Sequence, residues 1–257
     1  MLTALDDQAQ PDGTIEAMSA PRPATLLHTS DVHLDLDDGG RHQQAFAAAI
    51  DLAIATDVDA VLIVGDLFDH ARVRDDILTW AAAQLDRLGR PVVLLVGNHD
   101  ALHEQSVHHR FEVQSRCADV LFLDDPEGST VEVPGTDIVV WGRAMIEHEP
   151  AFQPLAGSPP RRDGVWNIVA GHGLVINDAS DLHRSSPIFP DTFTSLDCDY
   201  VALGHIHEHA VVHSEPLVCY SGATARSRRG EPGCVIVELV PGEGASLRWT
   251  PLPTKSD

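Results

Sequence analysis

Five short motifs each close an apolar, strand-like run: Ser30-Asp31-Val32-His33, Gly65-Asp66-Leu67-Phe68-Asp69, Gly97-Asn98-His99-Asp100, Gly171-His172-Gly173 and Gly204-His205-Ile206-His207. Seven of their side chains are metal donors of mixed character. Asp31 and Asp66 offer carboxylates, Asn98 an amide oxygen, and His33, His172, His205 and His207 imidazoles. If Asp66 bridges, each of two cations receives four protein ligands and keeps positions open for a water and for substrate oxygens. Oxygen and nitrogen donors without thiolate suit Mn²⁺ first, with Fe or Zn²⁺ as alternatives, better than Ca²⁺ or Cu⁺. Two such cations roughly 3.5 Å apart acidify a bridging water and clamp a phosphoryl group, so the reaction they serve is hydroxide attack on a phosphoester. Each motif alone has a plainer reading as a tight turn or surface histidine. Their order and shared strand-end position make the joint reading a metal centre.

The elements that must carry these residues alternate from Ala24 onward. Apolar runs predict strands over residues 25–29, 60–64 and 91–96, and periodicity predicts helices over 43–55, 77–88 (ended by Gly89) and 106–118. The continuous runs VLIV and VVLLV belong in a parallel sheet covered on both faces. After Val120 the pattern changes to shorter strands, at 120–123, 130–133, 137–141, 166–170, 200–203, 209–213, 217–220, 234–239 and 246–250. A helical half followed by a strand-rich half predicts two packed sheets with helices outside. In open α/β sheets ligands bind where strands end at their carboxyl termini, where all five motifs fall. Residues 146–163 and 176–194, rich in Pro, Ser and Asp, read as loops or short helices over one edge. Residues 1–23 read as a disordered tail, leaving 24–257 as the working domain.

Composition narrows the partners. The 257 residues carry a formal charge of −22, with 39 acidic residues against 17 basic ones, of which Lys255 is the single lysine. A protein that grips long nucleic acid presents many cations to the phosphates, so extended DNA binding by this chain alone is not expected. No apolar run reaches the roughly 18 residues of a membrane span. Four cysteines without CxxC spacing read as free thiols in a reducing cytoplasm.

The series DxH…GDxxD…GNHD…GHG…GHIH resembles the calcineurin-like metallophosphoesterase superfamily over residues 25–239. The wording around the motifs (LHTSDVHLD, VLIVGDLFD, YVALGHIHE, YSGATARSRRGEPGCVIVEL) is similar to its SbcD-like DNA repair exonuclease branch. The resemblance implies a four-layer αββα sandwich of two mixed β-sheets flanked by helices, with one dinuclear site. It implies that Asp31, His33, Asp66 and His207 hold one metal, and Asp66, Asn98, His172 and His205 the other. It also places His99 against substrate, stabilising phosphoryl oxygens or protonating the leaving group.

Asp69 and Asp100 are candidates for orienting His99 or neighbouring ligands, and Asp100 has an equal alternative as the N-cap of a helix over residues 101–105. Arg226, Arg228 and Arg229 form the tight basic cluster near the expected mouth. Arg226 and Arg228 are candidates for receiving a substrate phosphate, against a reading as solvated arginines. His70 reads as a substrate contact or a plain loop histidine, and His103, His108 and His109 as decoration of a helix face. Such nucleases carry a DNA-capping region and a segment that docks on an ATPase. The chain stops about 50 residues after His207, which places a small nucleotide or a nucleic-acid end, held with a protein partner's help, ahead of duplex DNA. The expected activity is phosphodiester hydrolysis, with phosphomonoester hydrolysis or a non-catalytic scaffold as alternatives.

Overall fold

The apolar runs form two six-stranded sheets face to face. The computed structural model describes residues 20–36, 39–177, 179–181, 183–228 and 230–253. In chain order the elements are β1 (Ala24–Thr29), α1 (Arg41–Thr56), β2 (Ala60–Val64), α2 (Asp75–Leu88), β3 (Val92–Leu95), the single turns α3 (His108–Phe111) and α4 (Val113–Arg116), then β4 (Val120–Leu123), β5 (Ser129–Glu132), β6 (Ile138–Gly142) and β7 (Trp166–His172). There follow β8 (Leu174–Val175), β9 (Pro187–Ile188), α5 (Pro190–Phe193), β10 (Tyr200–Gly204), β11 (Ala210–Ser214), β12 (Leu217–Tyr220), β13 (Gly233–Val240) and β14 (Gly244–Pro251).

The first sheet runs β14-β13-β1-β2-β3-β4 and the second β11-β12-β10-β7-β6-β5. Both have four parallel strands: β1 to β4 in one and β12, β10, β7 and β6 in the other. The remaining pairings are antiparallel. The fold is therefore α/β with two mixed sheets, and the carboxyl ends of β1, β2, β3, β7 and β10 all carry a motif.

Alternation along the strands separates two cores. Leu26, Leu62 and Val93 turn inward to meet Val140, Ile168 and Ala202 of the second sheet. Leu27, Val61 and Leu94 turn outward against α1 and α2. Those helices present Phe46, Ala49, Ile50 and Ala53, and Ile77, Leu78, Ala81 and Leu85. This is the i, i+3, i+4 stripe of an amphipathic helix. The outer layer on the second sheet is thinner. Leu155, Ile188, Phe193 and Leu196 cover Trp141, Val169, Val201 and Val218 from loops, the two-residue β9 and the one-turn α5.

Two expectations change. The helix predicted over 106–118 is two single turns broken at Glu112, whose φ is 46°. Phe111 and Val113 are both buried, and residues two apart cannot share one face of a straight helix. The predicted tail lies outside the described residues as far as 19. Its last stretch is tied down: Arg22 N–H and Nε both donate to Asp137 at 2.9 Å, and Trp166 Nε1 donates to the Arg22 carbonyl at 2.7 Å.

Candidate metal centre

The loops after β1 and β2 are laced together before any side chain is considered. Asp31 N–H donates to the Gly65 carbonyl at 3.1 Å, and Val32 and His33 N–H both donate to the Asp66 carbonyl, at 2.9 and 3.0 Å. Four of the candidate donors hold left-handed backbone conformations: Asp31 and His33 at φ 51°, Asp66 at 55° and His205 at 101°. Non-glycine residues avoid this region, and such strain concentrates at functional sites. Glycine solves a separate problem at Gly65 and Gly97. A Cβ on Gly65 would lie 2.0 Å from His172 Nδ1, and one on Gly97 would lie 2.2 Å from Asp66 Oδ1. Only without side chains there can His172, from the second sheet, lie against the loops of the first.

The seven candidate donors converge on two adjoining sides of Asp66, and donor atoms of Asp31, Asp66 and His172 all lie within 4.8 Å of one another. On one side, His33 Nε2 lies 3.2 Å from His207 Nε2 and 3.9 Å from Asp66 Oδ2, and His207 Nε2 lies 3.5 Å from Asp31 Oδ1. On the other, His172 Nε2 lies 3.3 Å from Asp66 Oδ2 and 3.2 Å from Asn98 Oδ1, while His205 Nδ1 is 2.8 Å from the same amide oxygen. Cations bound at about 2.1 Å hold neighbouring ligand atoms roughly 3.0–3.4 Å apart, close to these separations.

Tautomers agree with that use. His172 Nδ1 donates to the Val64 carbonyl at 2.9 Å, and His33 Nδ1 faces the Asp69 carboxylate at 3.1 Å, so each ring turns its Nε2 inward. Asp31 Oδ1 is buried and has no hydrogen-bond partner. A buried acceptor left unpaired amid other acceptors is costly unless a cation meets it. The donor set therefore fits two divalent cations.

Electrostatics within the site follow from the same crowding. Burial opposes charge on His172, but Asp66 outweighs it and brings the imidazole up to about 9. The Asp66 carboxyl in turn lies below its ordinary value, because His172 and His33 outweigh the effect of burial. Burial, reinforced by His172, pushes His205 down to about 3. Burial also lowers His33, against the pull of Asp66 and Asp31.

The supporting residues divide. His99 Nδ1 donates to the Asp69 carbonyl at 2.8 Å and lies 3.4 Å from its carboxylate, which leaves Nε2 free on a side chain 42% exposed. Its backbone N–H donates to Asp66 Oδ1 at 2.8 Å. A ring nitrogen of His99 also lies within 4.8 Å of donor atoms of His33 and Asp66, close to the donor set. Asp100 is sealed inside and caps no helix, since α3 begins only at His108. It accepts N–H groups of Gly97 (2.8 Å), Leu67 (2.9 Å), Phe68 (3.2 Å) and Asp66 (3.3 Å), and faces His108 Nε2 at 3.2 Å. Its contacts are those of a buckle between two motif loops, out of reach of a substrate.

Arg226 pairs with Glu231 at 2.7 Å, Arg228 is exposed nearby, and Arg229 lies outside the described residues. His70 is exposed. His109 Nε2 donates to the His103 carbonyl and His103 Nδ1 accepts from Gln105, so both stay within their own turn.

Two histidines outside every motif also stand at the site. His42 of α1 meets His33 edge-on at 6.4 Å, and His148 meets His205 at 5.6 Å. Burial and His172 hold His148 below its ordinary value. A third, His28, three residues before Asp31, is sealed between the sheets on the Tyr200 hydroxyl at 2.8 Å, and burial pushes it down to about 3. Nothing in the sequence separates these three from surface histidines, because their neighbours are brought in by other strands.

Comparison with known proteins supplies a family. The calcineurin-like phosphoesterase family matches residues 24–209. The metallophosphoesterase YhaO of Bacillus subtilis is 28% identical over 247 residues, covering 85% of this chain and 58% of that protein. The DNA double-strand break repair protein Mre11 of Thermoplasma acidophilum is 25% identical over 245 residues, covering 84% and 62%. The chain thus spans about three fifths of the length of these relatives. TT1561 of Thermus thermophilus shares the fold, with a TM-score of 0.59 at 12% identity over 90% of this chain and all of that one.

Proposed function

The chain belongs to the calcineurin-like phosphoesterase family, and we propose that it is a dinuclear-metal hydrolase of phosphodiester bonds. The observation that carries the reading is the convergence of the seven candidate donors around Asp66, with the Asp31 Oδ1 acceptor left for a cation. Asp31, His33, Asp66 and His207 would hold one cation, and Asp66, Asn98, His172 and His205 the other. Bound there, two divalent ions supply an acidified water at neutral pH and neutralise phosphoryl oxygens. Mn²⁺ fits this donor set best, with Fe and Zn²⁺ acceptable to the same atoms.

The chain's own residues supply the rest. Asp69 holds His99 by Nδ1, so its Nε2 stands at the mouth to hydrogen-bond a phosphoryl or leaving oxygen. Asp69 also fixes the His33 ring, and Asp100 keeps the two loops in register. The substrate we favour is a small nucleotide or a nucleic-acid end. Kinship with a DNA repair protein supports the diester, and the charge of −22 disfavours unaided grip on extended DNA. A protein partner would supply that grip. We take residues 24–257 as one catalytic domain. The four free cysteines fit the cytoplasm, and among the described residues no helix is long and apolar enough to cross a membrane.

The test is turnover of bis-p-nitrophenyl phosphate by purified protein with Mn²⁺, Fe²⁺ or Zn²⁺ added. Hydrolysis that depends on metal is expected, and no turnover with any of them overturns the reading. Hydrolysis of p-nitrophenyl phosphate alone would make the protein a monoesterase. His99→Ala is expected to slow the diester reaction about 10²-fold with metals still bound. Metal loss in that variant would make His99 a ligand.

A further inference from the structure

His99 guards only one side of the donor set, standing edge-on to His33 with ring centroids 4.6 Å apart. His148 occupies the matching position on the other side, edge-on to His205 at 5.6 Å. Its ring is exposed, belongs to no motif, and has no hydrogen bond among the described residues. The backbone that presents it is held on both flanks. The buried Met145 accepts from Leu102 N–H at 2.8 Å, and the Glu149 carbonyl accepts from Ser186 N–H at 3.0 Å. A fixed turn therefore carries this ring to the mouth.

We propose that His148 is a second substrate-contacting residue, donating an N–H to a phosphoryl oxygen from the His205 side while His99 faces the substrate from the His33 side. The inference rests on the phosphoesterase reading above. An in-line displacement sets the attacking and leaving oxygens on opposite faces of phosphorus, with the non-bridging oxygens between them, so donors on both flanks have distinct oxygens to meet. An imidazole carries at least one N–H in either protonation state, which makes the contact independent of its titration.

The test uses His148→Ala and His148→Gln beside the wild type. His148→Ala is expected to raise KM for bis-p-nitrophenyl phosphate about tenfold, with kcat within about threefold. The same factor is expected in the Kd for inorganic phosphate, measured by calorimetric titration of the Mn²⁺-loaded protein. His148→Gln keeps an N–H donor and should recover most of both, and the Mn²⁺ content of all three proteins should match. Unchanged KM and phosphate affinity in His148→Ala overturn the inference. Metal loss, a fall in kcat alone, or a Gln variant that behaves like Ala would make His148 a prop for the His205 ring. Absence of turnover by the wild type overturns the phosphoesterase reading, and this inference with it.

Discussion

The two halves of the donor set are built differently. At the end where His172 meets the shared Asp66 the side chains are only 1% and 2% exposed, whereas at the other end His207 is 38% exposed, although Asp31 and His33 beside it are buried. In the sealed half the backbone does the holding: Val64 receives His172 Nδ1–H, and Asp66 Oδ1 receives the His99 N–H. Gly65 and Gly97 let the chains approach there. In the open half side chains hold one another, His33 by Asp69 and His207 beside Asp31. Backbone anchors at the junction of two sheets fix geometry, while side-chain anchors at a rim permit exchange and access. The sealed half should therefore govern whether cations stay, and the open half how substrate is met.

The largest effect expected is at the atom the halves share. Asp66→Ala should empty both metal positions and cut diesterase activity about 10³-fold or more, read by elemental analysis and turnover. One tightly held metal would mean that the halves are independent and Asp66 does not bridge.

The next comparison separates them. His172→Ala strands the buried Asp66 charge, a loss of about 3–5 kcal/mol, or roughly 6–12 °C in thermal midpoint for a chain of this size. His207→Ala, at the rim, should lower the midpoint by less than about 3 °C while still weakening metal retention. Scanning calorimetry of the metal-free proteins reads the difference. Equal midpoints would show that burial does not distinguish the two halves.

The sequence made the candidate donors legible, because Asp, Asn and His after apolar runs and glycines are a local signal. Long-range approach was not legible. Nothing local announces that His172 packs where a Gly65 side chain would be, or that the Asp100 carboxylate receives the N–H of Leu67 and Phe68 from another loop. The helix predicted over 106–118 failed for a related reason: its periodicity was read without knowing that Phe111 and Val113 must both reach the core. The thin outer layer of the second sheet escaped because Leu155, Ile188 and Phe193 are scattered through segments with no period. His148 was invisible as a lone histidine between two glutamates.

The smallest effects expected lie at the arginine loop, which borders the open half. Its backbone abuts His207: Ala223 N–H donates to the His207 carbonyl at 3.2 Å, and a Cβ on Gly230 would lie 2.0 Å from the same oxygen. Arg226 is already neutralised by Glu231 on an exposed pair, so Arg226→Ala should change KM less than about twofold. Arg228 has no carboxylate partner among the described residues, so Arg228→Ala should raise KM about two- to threefold. Salt should erase the Arg228 effect, since exposed charges are screened. KM measured at low and high ionic strength separates the two variants. A larger loss from Arg226→Ala would mean that substrate competes successfully with Glu231, and the rim would then act as a charged gate in which that ion pair opens as substrate enters.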